Sequence, residues 1–120
     1  MRIGITGHQR LKDASRWERV KRAIEAILAH APTPLIGVTS LAIGADQLFA
    51  NVVLQQDGLL EAIIPFEGYE LTFAEGHDRQ EYQRLLIRAA RVESLPRMGS
   101  DEHAYFEAGK RVVDLADVVV

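Results

Sequence analysis

The sequence predicts an α/β fold of Rossmann type, a three-layer sandwich around a mostly parallel sheet of about five strands. Two observations carry this expectation. Short apolar runs alternate along the chain with segments whose apolar residues recur every three or four positions, and the links are short; this is the βαβ pattern, with right-handed crossovers expected. The chain also has 120 residues with 48% apolar content, enough for one compact domain over residues 1–120, with little room for a second.

Residues 2 to 6, mostly apolar and stopped by Gly7, suit a buried parallel strand. From Trp17, apolar residues at Val20, Ile24, Ile27, Leu28 and Ala31 put one stripe on a helix, which Pro32 and Pro34 end. Leu35 to Thr39 is the second strand. Ala45, Leu48, Phe49, Val52 and Val53 stripe a second helix ending near Gly58, and Leu59 to Ile64 is a third strand, closed by Pro65. Glu67 to Gly76 follows neither period and reads as a loop at the carboxyl edge of the sheet. A third helix, from about His77 to Ala90, turns Tyr82, Leu85, Leu86 and Ala89 inward.

Arg91 to Leu95 is read as a short strand rather than an extension of that helix. Pro96, Met98 and Gly99 resemble a strand-to-helix loop, and another helix starts near Asp101. On this fourth helix Tyr105, Phe106, Val112, Val113 and Ala116 mark the expected core side. Asp117 leads into Val118-Val119-Val120, a run that belongs in the middle of a parallel sheet. If the chain is a piece of a longer one, a continuation past Val120 would hold part of the site.

Composition narrows the function. Fourteen Lys and Arg against 17 Asp and Glu leave a formal charge of -3, so no positive field favours a phosphate backbone, and nucleic acid is a poor default partner. With no cysteine, disulfides, thiolate metal sites and a cysteine nucleophile are excluded. No signal-peptide pattern opens the sequence and no window is apolar enough for a membrane span, so the cytoplasm is expected and a membrane is not. The four histidines, His8, His30, His77 and His103, have no compact metal-ligand spacing, and Ser40 and Ser100 lack a hydrolase elbow. Neither a metal nor a cofactor is required by these residues, and no catalytic residue stands out.

Two turns carry the candidate binding chemistry. After the first strand, Gly7 admits a close approach to the main chain, while Thr6, His8 and Arg10 offer a hydroxyl, an imidazole and a guanidinium to an anion. One glycine does not make the dinucleotide fingerprint, and a plain tight turn is the alternative. After the second strand, Thr39-Ser40-Leu41-Ala42-Ile43-Gly44-Ala45-Asp46 opens a helix whose free amides, with the Ser40 hydroxyl and the backbone at Gly44 and Ala45, suit a phosphate. Asp46 either stabilises the first helical turn or accepts hydrogen bonds from a ribose or orients Arg10. It is a poor direct phosphate ligand, because carboxylate and phosphate repel. Both turns follow strands expected to be neighbours, at the edge where ligands bind in doubly wound sheets.

Two weaker groups lie further on. Phe66 or Tyr69 either stacks on a base or covers the top of the core. Ser100 and Asp101 are N-cap candidates with Arg97 nearby, whereas Glu102 and His103, adjacent on a helix, do not share a face as an acid–base pair would require.

Several stretches together resemble a known group. They are Ile3-Gly4-Ile5-Thr6-Gly7-His8-Gln9-Arg10, Ser40-Leu41-Ala42-Ile43-Gly44-Ala45-Asp46-Gln47-Leu48-Phe49-Ala50, Ile64-Pro65-Phe66, and Tyr105 to Asp114 leading to Ala116-Asp117-Val118-Val119-Val120. The chain resembles the SLOG superfamily, which joins the DNA-processing protein of bacterial transformation with the cytokinin-activating phosphoribohydrolases. It looks most like the small, uncharacterised bacterial proteins described as Rossmann-fold nucleotide-binding. The resemblance implies a nucleotide or nucleotide-sugar pocket lined by Gly7 to Arg10 and Ser40 to Asp46, with Ser100 and Asp101 near its rim.

Relatives continue past the strand matched by Val118 to Val120 into a glycine-rich phosphate loop, and the hydrolases place a catalytic Glu after it and an Arg-Lys pair in the preceding helix. Lys110-Arg111 is a reversed counterpart, and no residue here takes the place of that Glu. The resemblance therefore does not imply hydrolysis. The DNA-processing branch binds single-stranded DNA through basic surface and dimerisation, which the charge here does not match.

The expected function is binding of a nucleotide or nucleotide-derived phosphorylated small molecule, as sensor or carrier. The alternatives are phosphoribohydrolase-like cleavage of a nucleoside monophosphate, with Glu67, Asp46 or Asp101 as carboxylate, and a single-stranded DNA-binding or structural module. An exposed apolar helix face would argue for a homodimer.

Overall fold

A computed structural model describes residues 1–6, 14–97 and 99–120. Among these, five strands, β1 (Arg2–Gly4), β2 (Ile36–Thr39), β3 (Leu59–Ile64), β4 (Arg91–Ser94) and β5 (Val118–Val119), alternate with four α-helices, α1 (Ala14–Ala29), α2 (Ala45–Gln55), α3 (His77–Arg88) and α4 (Asp101–Leu115). Every strand pairing is parallel, and the order is β4-β3-β2-β1-β5. The fold is thus the expected Rossmann-like α/β sandwich.

Strand order distributes the helices. From β1 to β4 each strand is added on the same side of its predecessor, so their crossover helices share one face; β5 lies on the other side of β1, and its helix crosses the opposite face. Ile24 and Leu28 of α1 pack with Phe49, Val52 and Val53 of α2 over Ile3 and Ile5. Tyr82 and Leu85 of α3 join Leu60, Ala62 and Ile64 on that same side. Because side chains alternate along a strand, Ile63 points the other way, where it meets Val38 and Ala108 and Val112 of α4.

Element positions follow the sequence closely, β3 residue for residue. The aperiodic stretch at 67–76 contains a single 3₁₀ turn, Tyr69–Thr72, entered through Gly68 in the left-handed region at φ 86°. A larger difference concerns α4. Its core side is Ala104, Ala108 and Val112, whereas Tyr105, Phe106 and Val113, expected inside, are 41%, 64% and 50% exposed. Close packing is the reason. A Cβ on Gly4 would lie 2.8 Å from Val112 Cγ1 and 3.0 Å from the Ala116 Cβ, so the helix rests almost on the backbone of β1. Only small or slim residues fit beneath it, and the large ones rotate out.

The closing valines also depart from expectation. β5 is an edge strand of the described sheet, with Val118 and Val119 exposed, because it has a neighbour on one side only. Asp117 fastens its start: the carboxylate accepts from the Arg2 amide at 2.8 Å, and the Asp117 amide donates to the Arg2 carbonyl at 2.7 Å. Beside α4, the helix on this face among the described residues, the sheet carries ion pairs. Arg2 Nε meets Glu61 Oε1 at 3.0 Å, and Arg111 grips Glu93 with two hydrogen bonds of 2.7 and 3.0 Å.

Candidate functional site

Strand order reverses at β1, whose neighbours β2 and β5 are reached by helices on opposite faces, and this is where an open parallel sheet leaves a crevice at its carboxyl edge. A cavity of about 1140 Å³ lies at that place. Ile5 and Thr6 line it from the end of β1; Ser40, Ala42 and Ile43 from the loop after β2; Asp46 from the first turn of α2. Pro65, Tyr69, Thr72 and Phe73 extend the wall after β3, and one flank of α4, including Tyr105, Phe106, Gly109, Lys110 and Val113, closes the far side.

The loop between β2 and α2 is tied into one shape. Thr39 Oγ1 accepts from the Leu41 amide at 3.1 Å, and Gln47 donates through its side chain to the Leu41 carbonyl and through its amide to that of Ala42, both at 3.2 Å. Leu41, fully buried, is held at φ 59°, and Gly44, at φ 101° and ψ −127°, occupies backbone space that side chains avoid. Gly44 is therefore the N-cap of α2, and it supplies no capping side chain.

Asp46 is the unusual group. It is only 3% exposed, and its Oδ1 has no hydrogen-bond partner among the described residues. Burial pushes its carboxyl up to about 7, against the Thr39 hydroxyl and the amides of Ala42 and Ser40, which favour the charged form. Since Thr39 Oγ1 already accepts from Leu41, its own hydrogen is left to donate. Burial likewise raises the Tyr69 hydroxyl above its ordinary range, and the proximity of Asp46 adds to this. Asp46 thus does more than complement the helix dipole: it lines the cavity as a residue, while its Oδ1 is shielded from solvent and has no partner among the described residues.

The other residues singled out from sequence divide clearly. Thr6, Ser40 and Asp46 come together on the cavity wall, whereas Gly44 and Ala45 shape the start of α2 without lining it. Gly7, His8 and Arg10 lie outside the described residues. Phe66 is buried, with the Arg97 guanidinium 4.4 Å from its ring centroid and Tyr69 edge-on at 5.8 Å, so its faces are engaged within the protein. Ser100 is the N-cap of α4, its Oγ accepting from the His103 amide at 3.2 Å, and Asp101 pairs with Arg97. Neither lines the cavity, although Glu102 beside them does. Of the carboxylates Glu67, Asp46 and Asp101, only Asp46 reaches it. Lys110 and Arg111 also part: Lys110 lines the cavity, and Arg111 is held by Glu93 on β4.

Sequence reasoning missed the α4 wall because Tyr105, Phe106 and Val113 had been assigned to the core. The available signal was Ala104, Ala108 and Val112 at spacings of four, a slim stripe that lets a helix lie close to a sheet. Among the described lining residues, Asp46, Glu102 and Asp114 face one cation, Lys110. Among the described residues no group of three His, Asp or Glu is placed to hold a metal ion, and no helix is long and apolar enough to cross a membrane.

Fold and cavity together define a Rossmann-like α/β protein with a candidate ligand site at the strand-order reversal. No family model matches the chain, and no curated protein matches it in sequence. Among solved structures it is similar to DNA processing protein A (DprA) from Streptococcus pneumoniae, at 13% identity and a TM-score of 0.42. The similarity covers 99% of this chain and 58% of that one, so this chain spans less than two thirds of that protein. A likeness this weak defines neither a family nor a site.

Proposed function

We propose that this protein binds a nucleotide or a nucleotide-derived phosphorylated small molecule in the cavity at the carboxyl edge of β1 and β2, as a sensor or carrier. The observation that carries the reading is the convergence of Thr6, Ser40 and Asp46, from two turns after adjacent parallel strands, on one cavity with room for a nucleotide. Exposed Tyr105 and Phe106 give its rim flat apolar surface suited to a base. The charged residues of the described wall are mostly acidic, so the phosphate belongs near Thr6 and the first turn, whose Arg10 is the expected cation. A thermal-shift screen of the full chain against mononucleotides, ADP-ribose and dinucleotides tests this. At least one compound should raise the melting temperature, and Arg10→Ala should weaken the response. No shift with any of them would end the reading.

A second reading is cleavage of a nucleoside monophosphate at its glycosidic bond. It is favoured by the Asp46 carboxyl, pushed up to about 7, where a group can both give and take a proton. Water would add to the sugar carbon as its bond to the base breaks, releasing free base and ribose 5-phosphate. Appearance of free base from a nucleoside monophosphate, lost in Asp46→Asn, would move the assignment from carrier to enzyme.

A further inference from the structure

We infer that the outer face of α4 docks a second copy of this chain, antiparallel and centred on Phe106, and that the second copy walls the outer side of the cavity; this goes beyond the nucleotide-binding reading and stands without it. The starting point is a stripe of three exposed residues, Glu102, Phe106 and Lys110, spaced by four along α4 and so on one face of the helix. Phe106, in the middle, is 64% exposed, and Val113, half exposed, adds apolar surface one turn further on. An aromatic ring between apolar and charged neighbours is the usual anchor of a protein contact.

The charges select the occupant. Read backwards, acid, ring and base become base, ring and acid, so a second copy laid antiparallel sets Glu102 against Lys110 at one end, Lys110 against Glu102 at the other, and Phe106 on Phe106 between them. One two-fold axis through the rings makes both ion pairs at once, as a self-complementary contact requires. A parallel alignment would set like charges together, so the stripe also fixes the direction. Helix geometry permits the match: residues four apart form a row inclined to the helix axis, and two such rows run side by side at the commonest crossing angle, about 50°. Lys110 is held only loosely within its own chain, its Nζ 4.0 Å from Glu107 Oε1 and 5.9 Å from the Phe106 ring centroid. Tyr105 turns toward the sheet instead, its ring 6.0 Å from that of Phe66 and 6.1 Å from that of Tyr69, so the pairing leaves it to the cavity.

The test is analytical ultracentrifugation of the full chain over a range of concentrations, with Glu102→Lys, Lys110→Glu and the double variant carrying both changes. The unaltered protein should dimerise. Each single change makes the stripe repel its own copy, at both ends by symmetry, and should weaken dimerisation on the order of tenfold or more. The double variant has acid and base in exchanged order and should dimerise like the parent, and a mixture of the two single variants should form a heterodimer. A monomer at every concentration would overturn the inference and leave this face to the ligand or to a different protein. So would a dimer indifferent to the single changes, or single changes that neither the double variant nor the mixture rescues. Should a single variant fail to fold, Phe106→Ala takes its place: loss of the dimer supports the inference, and an unchanged dimer overturns it.

Discussion

A carboxyl group withdrawn from water prefers to keep its proton, and at Asp46 this preference sets a pH dependence whose sign can be worked out. Its folded value of about 7 stands above the ordinary 3.8, so between roughly pH 4 and 7 the folded chain holds a proton that the unfolded chain has released. Stability contributed by this group therefore falls as pH rises through that window and levels off above it. The full effect is of order 4 kcal/mol at most. Asp46→Asn carries no titrating group, so its stability relative to the parent should improve by about 2 kcal/mol or more between pH 4.5 and pH 8 in urea unfolding. Parallel curves would show that Asp46 is not burdened in this way. Glu81 acts in a separate range and in the opposite sense. Its hydrogen bonds from Arg84 hold it down at about 2, so the stability it contributes is lost only as pH falls below its ordinary value. A residue that costs stability and lines a cavity is the expected mark of a site kept for binding.

Helix α4 shows how one element builds both core and site. Its slim stripe of Ala104, Ala108 and Val112 brings it close to β1, and that closeness turns Tyr105, Phe106 and Val113 toward the cavity. The contact depends on Gly4 having no side chain. Gly4→Ala would place a methyl 2.8 Å from Val112 Cγ1, and overpacking of this kind costs about 1–3 kcal/mol. The melting temperature should fall accordingly, and a nucleotide that stabilises the parent should stabilise Gly4→Ala less, because the displaced helix carries one wall. An unchanged melting temperature would mean that α4 can shift at no cost. At its start the helix has the Ser100 cap and acidic residues Asp101 and Glu102 in the first turn, which suit the positive end of its dipole.

At the scale of the whole molecule, stability should be graded across the sheet. β2 and β3 have partners on both sides and are covered on both faces, with Val38 and Ala62 wholly buried, whereas β4 and β5 are edges. Amide hydrogen exchange should therefore be slowest at Val38 and Ala62 and fastest, among strand residues, at Val119. Uniform protection across the five strands would contradict this gradient. The α2–α3 contact has its own tie: Asn51 Nδ2 donates to Glu81 Oε1 at 3.1 Å, and Arg84 holds the same carboxylate at 2.7 Å. The two helices are thus fixed to each other.

Most of this architecture was legible in local pattern. Apolar runs of four to six residues, helical stripes such as Phe49, Val52 and Val53, and the loop residues Pro96, Met98 and Gly99 before α4 placed nearly every element, because periodicity records which faces must be buried. The meeting of Thr6, Ser40 and Asp46 was foreseeable for the same reason: parallel strands deliver their following turns to one edge. Three-dimensional packing alone decided the rest. It decided that Tyr105, Phe106 and Val113 face a cavity, because hydrophobicity marks a residue as preferring burial without saying whether a neighbour leaves room for it. It decided that Phe66 is covered by Arg97 and that β5 lies at an edge, since both depend on residues distant in sequence. It decided, too, that one oxygen of Asp46 has no partner among the described residues, because whether a buried atom is paired depends on every element packed around it, and no single stretch of sequence contains them all.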